Sequence, residues 1–266
     1  DIAQIIPQQD PTYAALWLVE REVYPGTKIT SELGEETLLA KLCRSEIPTN
    51  PTLPIDPQTF ADQLIALTPR DYSIGSLPSD GHLDLLIRQG RRPDGSLGLA
   101  AGWLTEYAQL HQPFALRVRS NPNFHAPKND VPIVLIGNGT GLASLRALLK
   151  ERIEQGRFRN WLIFGERQSQ YDFLYRSEIL NAAEEGHLAH LDLAFSRDTP
   201  ERIYVQHRLK EKASRLSQWI VDGAVIYVCG SQAGMAGGVD DALRQILGDE
   251  QVQALIEQGR YRRDVY

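Results

Sequence analysis

The sequence predicts two unlike domains in one chain of 266 residues. The first, over residues 1–126, is a small antiparallel β-barrel that carries a short helical insertion at about 11–46. The second, over residues 127–266, is a doubly wound parallel sheet with helices on both faces. Three observations carry this. Four apolar runs after Pro127 each give way to a helix-forming segment. Between Tyr72 and Arg119, short strand candidates surround a single helix candidate. A block of prolines (Pro48, Pro51, Pro54 and Pro57) separates that β region from the helix-rich start.

Each element follows from local chemistry. The first ten residues, Asp1 to Asp10, read as a short strand. Residues 11–46 mix helix formers with Pro25, Gly26 and Gly34 and read as the helical insertion. The four prolines fix their own backbone and restrict their predecessors, so residues 48–57 read as a loop. Phe60–Leu67 reads as a helix stopped before Pro69. His82–Arg88 and Phe114–Arg119 are strand candidates, with turn chemistry at Gly90–Gly98 and one helix over Leu99–Leu110. Val131–Ile136, Asn160–Phe164, Leu191–Phe195 and Ala224–Val228 are continuous apolar runs, as strands buried on both faces require. Leu142–Gln155, Ile179–Glu185, Tyr204–Ser217 and Val239–Leu247 are the helices between and after them.

Composition narrows the function. Apolar residues make up 42% and charged residues 23%, the balance of a globular protein. A net charge of −6 argues against a nucleic-acid partner, which needs clustered Lys and Arg. No apolar run approaches the roughly 18 residues of a membrane span, and no signal-peptide pattern opens the chain. Two cysteines, Cys43 and Cys229, make no disulfide framework, so a reducing, cytoplasmic setting is expected. The six histidines show no metal-ligand spacing and no nucleophile elbow is present, so neither a metal site nor a serine hydrolase is expected.

The chemistry sits at strand ends. Gly137-Asn-Gly-Thr-Gly141 lies where the first parallel strand turns into its helix, where glycines let the backbone approach a pyrophosphate. Thr140 caps that helix or touches phosphate. Arg167, then Ser196-Arg197, Arg202 and Tyr204, offer cations, a hydroxyl and an aromatic cover at the ends of the next strands, a set that suits the 2′-phosphate of NADPH. Glu166 is the competing candidate for an NADH ribose, and a solvated arginine cluster is the bland alternative. Cys229-Gly230 ends the fourth strand, where a thiol reaches a ligand; a lone buried cysteine is more often an inert small hydrophobe. Cys43 reads as structural. Arg70-Asp-Tyr-Ser73 combines a phosphate grip, a stacking ring and a hydroxyl. With the aromatic, acidic tail Tyr261-Arg-Arg-Asp-Val-Tyr266, it suggests a flavin held between two aromatics.

Taken together, these motifs resemble the ferredoxin–NADP reductase family, closest to its diflavin branch, over Thr68–Tyr266. Arg70-Asp-Tyr-Ser73 matches the flavin motif R-x-Y-S. The resemblance implies that Arg70 holds the FAD pyrophosphate, Tyr72 stacks on the isoalloxazine and Ser73 bonds its reactive nitrogen. Gly98-Leu99-Ala100-Ala101 looks like the pyrophosphate turn, with Ala101 replacing the usual Ser or Thr. Gly137-Asn-Gly-Thr-Gly-Leu-Ala143 looks like G-P-G-T-G-[IV]-A, which makes Gly137, Gly139, Thr140 and Gly141 coenzyme contacts. Asn138 and Ser144 each replace a proline, a change expected to alter turn rigidity more than chemistry.

Ser196, Arg197, Arg202, Tyr204 and Gln206 fall where the family binds the 2′-phosphate and adenine. The resemblance further implies that Cys229 contacts nicotinamide, Asp264 assists hydride transfer, and Tyr266 stacks on the flavin and moves aside for nicotinamide. Ser231 stands where an Asp is common. The implied activity is an NADPH-dependent, FAD-containing reductase that passes electrons to FMN in a flavodoxin-like partner or upstream domain, or to a haem or iron acceptor. Asp1 looks like the second residue of the family's G-D strand and the 11–46 insertion is short, so a longer parent chain is expected. A membrane-associated ferric or siderophore reductase module, a non-catalytic NADP-binding fragment and a plain NAD dehydrogenase are the rival readings, the last of them leaving Arg70–Ser73 and the tail unexplained.

Overall fold

The computed structural model describes residues 1–49, 51 and 54–266; Asn50, Thr52 and Leu53, inside the expected 48–57 loop, lie outside the described residues. The chain forms two compact units: residues 3–72 with 87–119, and residues 1–2, 73–86 and 120–266.

Along the first unit run β1 (Ile2–Ile5), α1 (Pro11–Val19), β2 (Lys28–Ser31), β3 (Gly34–Thr37), α2 (Leu38–Cys43), α3 (Pro57–Gln63), β4 (Arg70–Ser73), α4 (Leu99–Gly102) and β5 (Leu116–Arg119). Two helices start alike. Asp10 accepts from the Thr12 N–H at 2.8 Å and Asp56 from the Thr59 N–H at 2.9 Å, each followed by proline in the first turn. Their inner faces meet where Trp17 stacks on Phe60 with centroids 5.6 Å apart, over a core that includes Leu18, Leu38 and Leu42.

The insertion is not wholly helical. β2 and β3 form an antiparallel hairpin over residues 28–37, where Ile29, Thr30 and Thr37 flank a turn at the left-handed Gly34. The helix expected at Phe60–Leu67 starts at Pro57 instead, because Asp56 caps it, and ends at Gln63. The helix expected over Leu99–Leu110 is one α-turn followed by a wider π-turn at Trp103–Tyr107. The strands here make a three-stranded sheet, ordered β4-β1-β5, and the β2–β3 hairpin; no closed barrel is present among the described residues.

The second unit carries β6 (Ile133–Asn138), α5 (Leu142–Glu154), β7 (Asn160–Glu166), α6 (Arg176–Glu184), β8 (His190–Phe195), α7 (Val205–Glu211), α8 (Ala213–Val221), β9 (Val225–Gly230), α9 (Gly237–Leu247), α10 (Asp249–Glu257) and β10 (Tyr261–Val265). All neighbours in the order β10-β9-β6-β7-β8 pair in parallel. Alternate residues of the central strands feed two cores. Val134, Ile136, Ile226 and Val228 face Leu209, Leu216 and Leu243. Ile133, Leu135, Val225 and Tyr227 face Leu142, Leu145 and Ile179. The α/β expectation holds with three differences. The Tyr204–Ser217 helix is two, broken at Lys212, while α10 and the fifth strand β10 were not foreseen. Among the described residues no helix is long and apolar enough to cross a membrane.

Residues 73–86 are fastened to α5. Arg146 donates to the Gly75 carbonyl at 2.6 Å and to Asp84 at 3.2 Å, and Lys150 pairs with Asp80 at 2.5 Å. Asp84 is thereby drawn into a polar clamp. The strand expected over His82–Arg88 shrinks to an isolated bridge between Ile74 and Leu85.

A buried arginine tests the packing. Arg152 is fully buried, its Nε donates to Asn160 Oδ1 at 2.9 Å, and Nη1 and Nη2 find no hydrogen-bond partner among the described residues. Burial lowers its pKa. Arg152→Met should therefore leave the melting temperature unchanged or raise it, because a desolvated cation of this kind offsets little of its own cost. Asn160→Ala, which takes the acceptor from Nε and leaves the cation only its ion pair with Asp130 at 3.6 Å, and which also strands two carbonyls, should cost about 1–3 kcal/mol in urea unfolding.

Candidate functional site

The site grows from a close approach of two strand ends. The end of β6 and the turn after it hold Gly137, Gly139 and Gly141, with Gly139 at φ 57°. A Cβ on Gly141 would lie 2.2 Å from the Cys229 carbonyl oxygen, and one on Gly137 would lie 2.7 Å from the same atom. Side chains are excluded because the turn packs directly on the end of β9. Gly230 completes the contact at φ 137°, where a Cβ would meet Asn138 Oδ1 at 2.2 Å. That oxygen accepts the Ser231 N–H at 3.0 Å. Asn138 thus clamps the β9 end through a bond its proline counterpart could not make.

Beside this turn four polar side chains converge. Ser73 ends β4, Ser144 lies in the first turn of α5, Cys229 is in β9 and Asp264 is in β10, in register with Cys229. Ser73 Oγ donates to Asp264 Oδ2 at 3.2 Å and Ser144 Oγ to the same oxygen at 3.4 Å. Cys229 Sγ lies 3.6 Å from Ser144 Oγ and 3.9 Å from Asp264 Oδ2. Burial, and then the Asp264 charge, push the Cys229 thiol up to about 12. It stays protonated at neutral pH and is neither nucleophile nor base. Asp264 also lines a cleft of about 640 Å³ with Gln232, Asp240, Asp241 and Arg263.

The tail reaches the same place. The Tyr266 N–H donates to the Gly230 carbonyl at 3.1 Å, and its carbonyl accepts the Gln232 N–H at 2.9 Å. Its hydroxyl lies 2.8 Å from Thr140 Oγ1, over the glycine turn, and the residue is 58% exposed.

The basic residues gather at the next strand ends. Ser196 and Arg197 donate backbone N–H groups to the Glu166 and Arg167 carbonyls at 2.9 and 2.7 Å. Arg167, Arg197 and Arg202 are exposed, and no ion-pair or hydrogen-bond partner for their guanidinium groups is found among the described residues. Glu166 is buried, with Oε2 accepting the Arg167 N–H at 2.9 Å, so its carboxylate is turned back on its own backbone. Tyr204 leads into α7 with its ring 5.7 Å from His207. Gln206 packs by Gly238, and its Oε1 is buried without a partner among the described residues.

The other unit holds the remaining candidates. Arg70 is exposed and Tyr72 half-buried on β4, where Asp71 pairs with Arg119. Gly98 precedes α4, whose first turn contains Leu99, Ala100 and Ala101.

A family model described as an oxidoreductase NAD-binding domain matches residues 135–241. The sulfite reductase (NADPH) flavoprotein alpha-component of Mannheimia succiniciproducens is 38% identical over 229 residues, covering 80% of this chain and 38% of the relative. Over most of its length the chain is similar to sulfite reductase flavoproteins. The Salmonella typhimurium member is 37% identical over the same shares, and that of Shewanella oneidensis is 36% identical over 281 residues, covering 92% of this chain and 46% of its own. The chain therefore spans less than half the length of these relatives.

Two residues escaped the sequence reading. Asn138 and Ser144 were taken to alter turn rigidity more than chemistry, yet each makes side-chain bonds at the site. Nothing in a single sequence signals which way their side chains point.

The thiol gives a pH prediction. An unfolded Cys229 loses its proton near 9.0, whereas the folded one keeps it to about 12. The native state then binds more protons, so stability is intact below pH 9.0 and falls as pH rises towards 12. Unfolding free energy should drop by up to ~1.4 kcal/mol per pH unit for this group. Cys229→Ala should remove that share of the slope, measured by urea titration across the window.

Proposed function

We propose that this chain is the reductase portion of an NADPH-dependent flavoprotein. It takes a hydride from NADPH onto FAD and passes electrons to FMN in a flavodoxin-like domain or partner, or to a haem or iron acceptor. The observation that carries the reading is the convergence of Ser73, Cys229 and Asp264 beside a glycine turn, from three separate segments. The match to sulfite reductase flavoproteins supports it, and a cytoplasmic setting accords with it.

The residues fit the two groups. For NADP(H), Gly139 and Thr140 on the partly exposed tip of the turn would meet a pyrophosphate, while Gly137 and Gly141 let the turn seat against the end of β9. Three guanidinium groups without a partner among the described residues, Arg167, Arg197 and Arg202, together with the Ser196 hydroxyl, suit a 2′-phosphate. Tyr204 and Gln206 border the adenine. The burial and self-engagement of Glu166 weigh against the NADH ribose alternative.

For FAD, Arg70 would hold the pyrophosphate with the Gly98–Ala101 turn, Tyr72 would stack on the ring, and Ser73 would bond its nitrogen. The three-stranded sheet is read as part of a flavin-binding antiparallel barrel. FAD, when bound, supplies the conversion of a two-electron hydride into single electrons.

The protein's own part is alignment and electrostatics. Cys229, neutral and fully buried, offers a polarisable wall to the nicotinamide without competing for the hydride. Asp264 would place a negative charge beside Cys229, on the α5 side of the sheet, where positive charge develops on that ring. Tyr266 lies on the glycine turn and must leave Thr140 for a pyrophosphate to take that hydroxyl.

Two measurements test the reading. The chain mixed with FAD and separated from excess should keep a flavin spectrum that NADPH bleaches, and Arg70→Ala should lower flavin occupancy while Arg197→Ala leaves it unchanged. A colourless chain that binds NADP⁺ would replace the reductase by a coenzyme-binding module. Arg197→Ala should also weaken NADPH binding by about 1.5–3 kcal/mol, the scale of a charge-assisted hydrogen bond, with little change for NADH. Equal losses for both coenzymes in calorimetry would remove the 2′-phosphate assignment.

A further inference from the structure

We propose that Ser144 is a positioning residue for Asp264, the hydroxyl that keeps its carboxylate in place when Ser73 turns to the flavin. The inference rests on the reductase reading above.

The bonding order can be assigned from chemistry. A carboxylate only accepts, so the hydroxyls of Ser73 and Ser144 both donate to Asp264 Oδ2. Ser144 Oγ then has lone pairs left, and Cys229 Sγ, 3.6 Å away, is the donor that meets them. The thiol keeps its proton because it is buried, so it does not reverse the order. The result is a directed chain, thiol to hydroxyl to carboxylate, that ends on the residue argued to stabilise the transition state.

Ser73 has one proton. In the reductase reading that proton goes to a flavin nitrogen, and a hydroxyl cannot give it to Asp264 at the same time. The Cys229 thiol, 3.9 Å from Asp264 Oδ2, is a long and weak donor, so a second hydroxyl is what holds the carboxylate when the flavin is in place. Ser144 supplies it. It lies only 8% exposed in the first turn of α5, and it comes from a different segment than Ser73. Where the family motif has proline, no such bond can form.

The test uses the chain reconstituted with FAD, as wild type, Ser144→Ala and Ser144→Thr. Removing the hydroxyl should slow single-turnover bleaching by NADPH about tenfold, the effect of one lost hydrogen bond to a charged group. The deuterium effect with NADPH labelled at nicotinamide C4 should rise, while NADP⁺ affinity by calorimetry and the melting temperature stay close to wild type. Threonine should restore most of the rate.

A readout free of turnover accompanies this. In the coenzyme-free Cys43→Ala background, the Cys229 S–H infrared band should move in Ser144→Ala and return in Ser144→Thr. An unshifted band, or an unchanged rate in an active enzyme, overturns the assignment. So does a rate loss that threonine fails to rescue and that tracks flavin loss or melting temperature, since that is packing. A wild-type chain that NADPH does not bleach overturns the reductase reading itself and this inference with it.

Discussion

The arrangement depends on one steric constraint: the β6 turn and the end of β9 approach so closely that Gly137, Gly141 and Gly230 have no room for a side chain. The Cys229 carbonyl lies where the Cβ atoms of Gly137 and Gly141 would be. That contact sets the level at which α5 begins, and so where Ser144 and the N–H groups of its first turn lie. It also leaves Cys229 facing the α5 side of the sheet, with Asp264 beside it in the next strand.

Charge is distributed around that contact in two ways. The Asp264 carboxylate is held by two hydroxyls and lies near a thiol that burial keeps neutral, so its negative charge is local and oriented. The arginines at the ends of β7 and β8 are the reverse: exposed and unpaired among the described residues. An exposed guanidinium loses little solvation until a partner arrives, and then gains a bidentate anion contact. A held carboxylate suits a charge that appears only briefly in a reaction. Free arginines suit a ligand that comes and goes.

Much of the α/β unit was legible because its central strands are buried on both faces and must be apolar throughout. Ile133–Ile136 and Trp161–Phe164 could hardly be read otherwise. β10 was not, since an edge strand tolerates Arg262, Arg263 and Asp264 and leaves only Tyr261 and Val265 as apolar marks. In the other unit the β2–β3 hairpin was masked by helix formers around it, and α3 was displaced because the Asp56-Pro57 start signal went unused. At the site, glycines, arginines and Cys229 were visible by type and place. Asn138 and Ser144 were seen as departures from a motif, and their side-chain directions depend on a β9 end nearly a hundred residues away.

The division of the chain bears on how Ser73 is placed. Tyr72 and Ser73 are covalent neighbours, yet they belong to different compact units. The segment after Ser73 is tied to α5 through Gly75, Asp80 and Asp84 by Arg146 and Lys150. Gly75 approaches Ala143 closely enough that an added Cβ would be in ordinary contact at 3.5 Å. The Ser73 hydroxyl is therefore located by the same helix that carries Ser144. Asp264 is gripped by two groups that share one rigid support, while the aromatic half of the R-x-Y-S motif is built on another. A motif that reads as one unit in sequence divides its labour by folding: the residue that addresses Asp264 is referenced to the parallel sheet, and that shared reference keeps the distances within the cluster short.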